Sequence, residues 1–284
     1  MNYFFTIFAK IGQMLSMGVA IHLVFSVAGI FFLGFPTIMS IGAYALAISQ
    51  KSGIPIFYSI LLALFFVLIF SLIFAYLFVK VSSDSFAVLG LASYFAIQAL
   101  FISWDSLTNG VLGISSIIRP SIFDSIKSLS FGIIFISIIL LICEGIFLQT
   151  WAGRAILASK ENPVVVQSLG ISSNKLFQIL IIISCFLFTI GGFFMVWQVQ
   201  FLDPKFGGMS LMIEVLTIGI LALKPQIKLL VFSVLFVVII PEFIRFINFP
   251  QAMFGHLRIL LYSVLLIILI KSLKNKLNIN KRII

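Results

Sequence analysis

Residues 55–79 read PIFYSILLALFFVLIFSLIFAYLFV, a stretch without a charged side chain. An α-helix needs about 20 apolar residues to cross roughly 30 Å of hydrocarbon. The stretch therefore predicts a membrane-spanning helix. Its apolar run is continuous, whereas the strands of a membrane β-barrel alternate apolar and polar residues. This pattern places the chain among the helical membrane proteins.

The rest of the chain has the same character. Hydrophobic residues make up 62% of it and charged residues only 9%, and the mean hydropathy is +1.27, far outside the range of soluble domains. About nine hydrophobic segments are predicted. They lie near residues 11–33, 35–50, 55–79, 86–104, 129–150, 176–198, 209–223, 226–247 and 256–271. The prediction is an all-α polytopic membrane protein, a single domain over residues 1–284 with a bundle of about eight to ten transmembrane helices.

One or two of these helices are predicted to be broken or short. The second segment follows FFLGFPT (31–37), where Gly34 and Pro36 interrupt a continuous helix. The seventh is short and ends at KPQ (224–226). Such breaks are tolerated when the freed backbone groups face protein or a water-filled cavity. They therefore suggest a transport path.

The net charge of +10 is concentrated in two places, the segment 151–176 and the tail 271–284. An excess of Lys and Arg marks cytoplasmic segments of membrane proteins. Four predicted spans separate the two, and an even number returns the chain to the same side. We therefore expect a cytoplasmic C-terminus, with residues 105–127, residues 203–208 and the N-terminus outside. Membrane topology accounts for the charge, so no nucleic-acid partner is expected.

The segment 151–176 also contains a short capped helix. Asn162 is a typical N-cap, Pro163 fits the first turn, and Gly170 supplies a C-terminal stop. These signals predict a helix over about 163–169, and residues 153–160 are expected to continue the fifth span. The helix presents apolar side chains that need a partner surface, among them Val165 and Leu169. The physics leaves an interfacial helix on lipid headgroups and an ordinary structured loop as alternatives.

The stretch GRAILASKENPVVVQSLGISSNKLF (153–177) resembles the cytoplasmic coupling loop of membrane subunits of ATP-binding-cassette importers in the branched-chain amino acid permease family. The matching residues are Gly153, Arg154, Ala158, Glu161, Asn162, Leu169, Gly170, Ile171 and Lys175. Further blocks at 32–47, 107–114 and 203–216 resemble the same family in the required order. The chain departs from the family's Gly-Gly-x-Gly turn at Lys224 and Pro225.

The resemblance implies a permease in the bacterial cytoplasmic (inner) membrane that carries branched-chain or other amino acids. It implies partners that include cassette ATPases, a second similar permease subunit, identical or different, an extracytoplasmic solute-binding protein and membrane lipid. ATP and Mg are expected on the ATPase, with no cofactor or metal on this chain. Enzyme activity is not expected, since the sequence has no phosphate-binding loop of the type G-x-x-x-x-G-K-[ST] and no H-E-x-x-H or G-x-S-x-G motif.

In the family's loop, Pro163 and Gly170 would fix the ends of the coupling helix, and Val165 and Leu169 would fill a groove on the ATPase. Arg154 and Glu161 would hold the loop against the membrane domain or the ATPase. Gly153 and Asn162 are the remaining residues predicted for the ATPase-coupling loop. The predicted translocation path is lined by Gly34, Gly42, Tyr44, Thr108, Asn109, Gly110 and Glu214.

Glu214 has a second interpretation. An acid inside a span is costly in lipid and by default faces a cavity or a partner. It is expected to make a structural or pore-lining hydrogen bond, and the alternative is a proton-coupling acid of an ion-driven carrier. The sequence shows no second buried acid on a neighbouring helix, because Glu144 is expected near the end of its span. The importer is therefore the preferred hypothesis.

Overall fold

The computed structural model describes residues 2–244, 257, 259–268 and 271. The predicted basic tail therefore lies outside the described residues except for its first position. In chain order the helices are α1 (Asn2–Ile21), a π-helix (His22–Val27), α2 (Phe35–Lys51), α3 (Ile56–Lys80), α4 (Ser83–Ser103), α5 (Asp105–Thr108), α6 (Ile126–Gln149), α7 (Trp151–Glu161), α8 (Pro163–Ser168), α9 (Ser173–Val199), α10 (Met209–Leu221) and α11 (Ile227–Ile244). A further apolar helix, α12, covers Ile259–Ile268.

Within the described residues, five helical segments are long and apolar enough to cross a membrane by themselves. They are Tyr3–Val27, Ile56–Lys80, Ser83–Ser103, Ile126–Gln149 and Ser173–Val199. The helical polytopic membrane fold is thereby confirmed. The first span was predicted too far along the chain, at 11–33 instead of Tyr3–Val27. The predicted segment began after Lys10, and the apolar residues 28–33, which are not helical, were included at its end.

The first span and α9 form the centre of the bundle. In each, 61% of the apolar window is buried, compared with 28% in α3, 22% in α4 and 17% in α6. Small residues allow close contacts with α1: a Cβ on Gly12 would lie 2.8 Å from Ile133, and one on Gly191 would lie 2.6 Å from Met17. Such small-residue contacts are typical of helix packing in membranes. The outer helices α3, α4 and α6 present apolar faces suited to lipid.

The second span is broken, as predicted. Residues 29–34 are not helical, and α2 begins at Phe35 with Pro36 in its first turn. The break packs against α4, where a Cβ on Gly90 would lie 2.5 Å from the backbone nitrogen of Gly34. Only glycine fits such a close approach of two backbones. Ile30, Phe32 and Gly34 of the break are buried in protein, whereas Gly29 and Phe31 are exposed.

The seventh segment is short, also as predicted. Helix α10 has 13 residues, which span about 20 Å, less than the roughly 30 Å of a hydrocarbon core. The loop before it packs into the bundle: Ser40 donates to the carbonyl of Phe206 at 2.9 Å, and Gly207 lies against Pro36. A buried loop and a short helix therefore together form this part of the bundle.

At the end of the bundle remote from α7, two loops are held together. Strands Ile114–Ser115 (β1) and Phe201–Leu202 (β2) pair antiparallel. The guanidinium of Arg119 donates to the carbonyls of Trp197 at 2.5 Å and Gln198 at 3.0 Å, at the C-terminal end of α9. A cation at this position satisfies carbonyls that have no partner within the helix.

Candidate functional site

The segment 151–176 is called the coupling segment here, after the role that the sequence predicts for it, and it starts with a sharp corner. Helix α6 ends at Gln149, and the next residue, Thr150, has an extended backbone. The hydroxyl of Thr150 accepts a hydrogen bond from the backbone N–H of Gly153 at 3.2 Å. The expectation that residues 153–160 continue the fifth span is therefore wrong, since Thr150 caps a new helix, α7. A Cβ on Gly153 would lie 2.3 Å from the Phe147 carbonyl oxygen, so the corner needs a glycine.

The short capped helix of the coupling segment is present as α8. The side chain of Asn162 accepts from the backbone N–H groups of Val164 at 3.1 Å and Val165 at 3.3 Å. Gly170 has φ 79°, a left-handed conformation that favours glycine. Helix α8 ends at Ser168, one residue earlier than predicted. Both of its ends are thus fixed by local chemistry.

Helix α8 buries only part of its apolar surface. Val166 is 4% exposed, whereas Val164 is 71%, Val165 54% and Leu169 72% exposed. Within the described residues, nothing covers these three side chains. These exposed apolar side chains of α8 and its C-terminal cap are here called the α8 patch.

Lys160 ties the coupling segment to the first span. Its ammonium donates to the backbone carbonyl of Ser26 at 2.6 Å, at the C-terminal end of the π-helix. Desolvation lowers the pKa of Lys160, and the neighbouring Glu161 carboxylate opposes that shift. The holding role was predicted for Arg154 and Glu161 and not for Lys160, and all three residues are exposed. The role of Arg154 and Glu161 remains a prediction.

The π-helix also carries a buried histidine paired with an acid. Nδ1 of His22 lies 2.5 Å from Oε1 of Glu144, and both side chains are 0% exposed. Nε2 of His22 lies 3.1 Å from the backbone carbonyl oxygen of Lys224. A carbonyl only accepts, so Nε2 carries a hydrogen, and one proton is shared in the hydrogen bond between Nδ1 and Oε1. The pair is therefore neutral overall in either protonation arrangement.

The pair bears on the expectation about a second buried acid. Glu144 is a second buried acid, with 3% exposure of the whole residue, but it lies on α6, which packs mainly against α1, whereas the α10 helix of Glu214 packs against α11, α1 and the π-helix. The pairing partner, His22, is 122 positions away in sequence. Inspection of a single sequence does not reveal that α6 packs against α1 at this height.

A cavity of about 560 Å³ lies between α1, the end of α9, the loop 203–208 and the start of α10. Polar residues of its lining are Thr6, Lys10, Gln13, Gln198, Asp203, Lys205, Ser210 and Glu214. Glu214 is 3% exposed. The cavity is open on one side, and a concave site with a few polar and charged groups of both signs is suited to binding a small polar molecule. We call it the α10 cavity.

Of the predicted path residues, only Glu214 lines the α10 cavity. Gly34 and Gly42 are packing positions: a Cβ on Gly42 would lie 2.5 Å from Thr189. The ring of Tyr44 is buried and stacks on Phe101 with centroids 3.9 Å apart. These three residues lie in contacts between helices.

Thr108, Asn109 and Gly110 lie in the loop after α4. The hydroxyl of Thr108 lies 2.6 Å from the carbonyl oxygen of Phe101 and 2.8 Å from that of Trp104. Asn109 and Gly110 both have positive φ, 58° and 53°, and Lys51 donates to the Asn109 side chain at 2.8 Å. These three residues form a tight turn at the end of the bundle remote from α7, and a role in the path stays a prediction.

A helical bundle with a broken span, a short span and a polar cavity beside the short span is typical of membrane transport proteins. Residues 3–270 match the family model for the permease component of the branched-chain amino acid transport system, and the chain belongs to this family. No curated protein sequence matches the chain.

Among solved structures, the fold is similar to a chain of PsaBC from Streptococcus pneumoniae, determined in complex with a Fab. The TM-score is 0.52, with 93% of this chain and 89% of that chain covered. The two sequences are 14% identical, a level at which the similarity concerns the fold alone.

Proposed function

We propose that the chain is the membrane-spanning permease subunit of an ATP-binding-cassette importer in the bacterial cytoplasmic (inner) membrane. It moves a small polar solute, and ATP and Mg bind to partner ATPase subunits. The observation that carries the proposal is the α8 patch on a helix whose two ends are fixed by Asn162 and Gly170.

The α8 patch fits a groove on another protein. A helix of six residues is not stable by itself in water, and only Val166 anchors its apolar side to the rest of the chain. Docking would bury Val164, Val165 and Leu169, and fully burying one such side chain stabilises by about 1.5–3 kcal/mol. The capped helix would then move with the ATPase as a rigid unit.

The α10 cavity supports a small polar solute, with an amino acid as the preferred class. Its lining offers ammonium groups of Lys10 and Lys205 and carboxylates of Asp203 and Glu214, which suit the opposite charges of a zwitterion. A solute-binding protein would deliver the solute at the end that carries β1 and β2. A second permease subunit, identical or different, completes the assembly in this proposal, and the tail 271–284 is cytoplasmic.

Co-purification tests the proposal. The wild-type subunit and a Val164→Asp/Leu169→Asp variant are purified in mild detergent from native membranes, and the proteins that co-purify are identified and quantified. We expect a cassette ATPase with the wild type and at least about a tenfold loss with the variant, since a buried unpaired charge costs more than 1.4 kcal/mol. The matched control is Asn174→Asp, which places the same charge on an exposed residue outside α8.

Two outcomes would overturn the proposal. One is a folded wild-type subunit that brings down no ATPase, and the other is an ATPase retained equally by the double variant and the control.

An ion-driven carrier that uses Glu214 is the second candidate, favoured by the burial of this acid at the cavity. Uptake in cells separates the two. An importer loses uptake when ATP is depleted with the ion gradient maintained, whereas a carrier loses it when an uncoupler collapses the gradient with ATP maintained.

A further inference from the structure

We propose that Lys160, Ser26 and His22 are positioning residues that transmit movement of the coupling segment to helix α10 and its cavity. The inference rests on the proposed function, because it assigns a route by which ATPase movement reaches the solute. The route is built from the π-helix and the turn between α10 and α11.

The first step of the route is the contact between α7 and the π-helix. The Lys160 ammonium donates to the Ser26 carbonyl at 2.6 Å. Its alkyl chain lies across Gly29, where a Cβ would be 3.1 Å from Cγ of Lys160. Gly29 has φ 73°, so the chain turns away directly after the π-helix and leaves room for the lysine. A displacement of α7 therefore acts on the end of the first span.

The second step joins the π-helix to the turn after α10. The hydroxyl of Ser26 donates to the carbonyl of Ala222, and the imidazole of His22 lies 3.1 Å from the carbonyl oxygen of Lys224. Two side chains of the same π-helix thus hold two carbonyls of one turn. A π-helix is a rare and locally strained form of helix that occurs frequently at functional sites.

The third step joins the π-helix to the α10 cavity. A Cβ on Gly219 of α10 would lie 2.9 Å from Ile21 and 3.7 Å from Phe25, so the end of the first span packs directly on α10. The same short helix carries Ser210 and Glu214 in the cavity wall. A helix of 13 residues moves as one body, so a pull on its C-terminal turn shifts the cavity lining.

Glu144 provides a second connection between the coupling segment and the π-helix. It holds Nδ1 of His22 from α6, the helix that leads through Thr150 into α7. The coupling segment is therefore connected to the π-helix twice, through Lys160 and through Glu144. The two connections let the π-helix and the α10–α11 turn follow the segment as a unit.

The experiment uses the purified complex with its ATPase in lipid vesicles. Ser210 is replaced by cysteine in a Cys143→Ser/Cys185→Ala background and labelled with an environment-sensitive fluorophore. The signal is the fluorescence change on addition of ATP and vanadate, so no solute has to be known. Lys160→Met removes the donor and keeps the alkyl chain, Lys160→Arg keeps a donor, and Lys175→Met is the matched control on an exposed lysine of the same segment.

We expect Lys160→Met to lower the fluorescence response about tenfold, as loss of a charge-assisted hydrogen bond would. Lys160→Arg and Lys175→Met keep the response, and all variants keep the bound ATPase and its hydrolysis. An unchanged response in Lys160→Met with the ATPase bound would overturn the inference.

A second readout requires no ATPase. Amide hydrogen exchange of the isolated subunit is measured in residues 22–30 and 222–226. Lys160→Met is expected to speed exchange in both stretches, with no change in the control. Unchanged exchange in 222–226 overturns the connection itself. If no ATPase co-purifies with the wild-type subunit, the proposed function is overturned. The hydrogen exchange of the isolated subunit then still tests whether Lys160 is connected to residues 222–226.

Discussion

Glu144 and Glu214 are equally buried, at 3% exposure each, yet they lie in opposite kinds of environment. Glu144 sits among helices α1, α6 and the π-helix, paired with His22 at 2.5 Å. Glu214 lies in the wall of a cavity of about 560 Å³ together with Lys10, Gln13 and Asp203. Burial alone therefore does not identify a functional acid in a membrane protein. The groups and the space around each acid differ: Glu144 is paired with a histidine, and Glu214 lines the cavity that we propose binds the solute.

The largest expected effect concerns the structural pair. Glu144→Ala leaves His22 without its partner at Nδ1, and breaking a buried pair costs about 3–5 kcal/mol. Glu144→Gln keeps the size and a side chain that bonds to Nδ1, so the expected loss is about 1 kcal/mol. Thermal unfolding in detergent checks both variants. If Glu144→Ala unfolds at the wild-type temperature, the pair does not stabilise the fold and the comparison with Glu214 loses its basis.

The next effect concerns the cavity. Glu214→Gln removes one charge from the α10 cavity and keeps the side-chain size, so solute uptake should fall about tenfold, equivalent to ~1.4 kcal/mol. The unfolding temperature is measured beside uptake, so that a loss of fold is separated from a loss of solute binding. Uptake of labelled amino acids by cells measures the first quantity, and Asp84→Asn, an exposed acid at the start of α4, is the matched control. Normal uptake in Glu214→Gln would contradict a role of the cavity in transport.

The smallest effect comes from a matched pair of serines, one in each region. Ser26→Ala removes the hydrogen bond to the Ala222 carbonyl and should cost about 1 kcal/mol of stability. Ser210→Ala, in the cavity wall, should leave the unfolding temperature unchanged and weaken uptake. Equal shifts of the unfolding temperature in the two variants would show that the regions do not differ in the way the two acids suggest.

Local signals in the sequence predicted the elements whose causes are local. The apolar stretch 55–79 became α3, Asn162 and Gly170 delimit α8, and Gly34 with Pro36 marks the broken span. The His22–Glu144 pair was missed because it depends on which helices become neighbours.

The role of a glycine is also difficult to predict from the sequence alone. Gly34 and Gly42 are predicted path residues, and in the structure they allow close packing. Glycine serves both purposes, so their role in the path stays a prediction. Lys160 is next in sequence to Glu161, for which a role was predicted. Its contact with the Ser26 carbonyl depends on the turn of the chain at Gly29, which the sequence alone does not show.

The polar face of the first span has a consequence for biosynthesis. Its histidine at position 22 binds a glutamate 122 residues later and a carbonyl 202 residues later, so the helix leaves the ribosome long before either partner exists. Unpaired polar groups are costly in lipid. We therefore expect the polar groups of the nascent first span to be shielded by the insertion machinery or by water at the membrane surface. They find their hydrogen-bond partners only after α6, and later α10, have been synthesised and inserted.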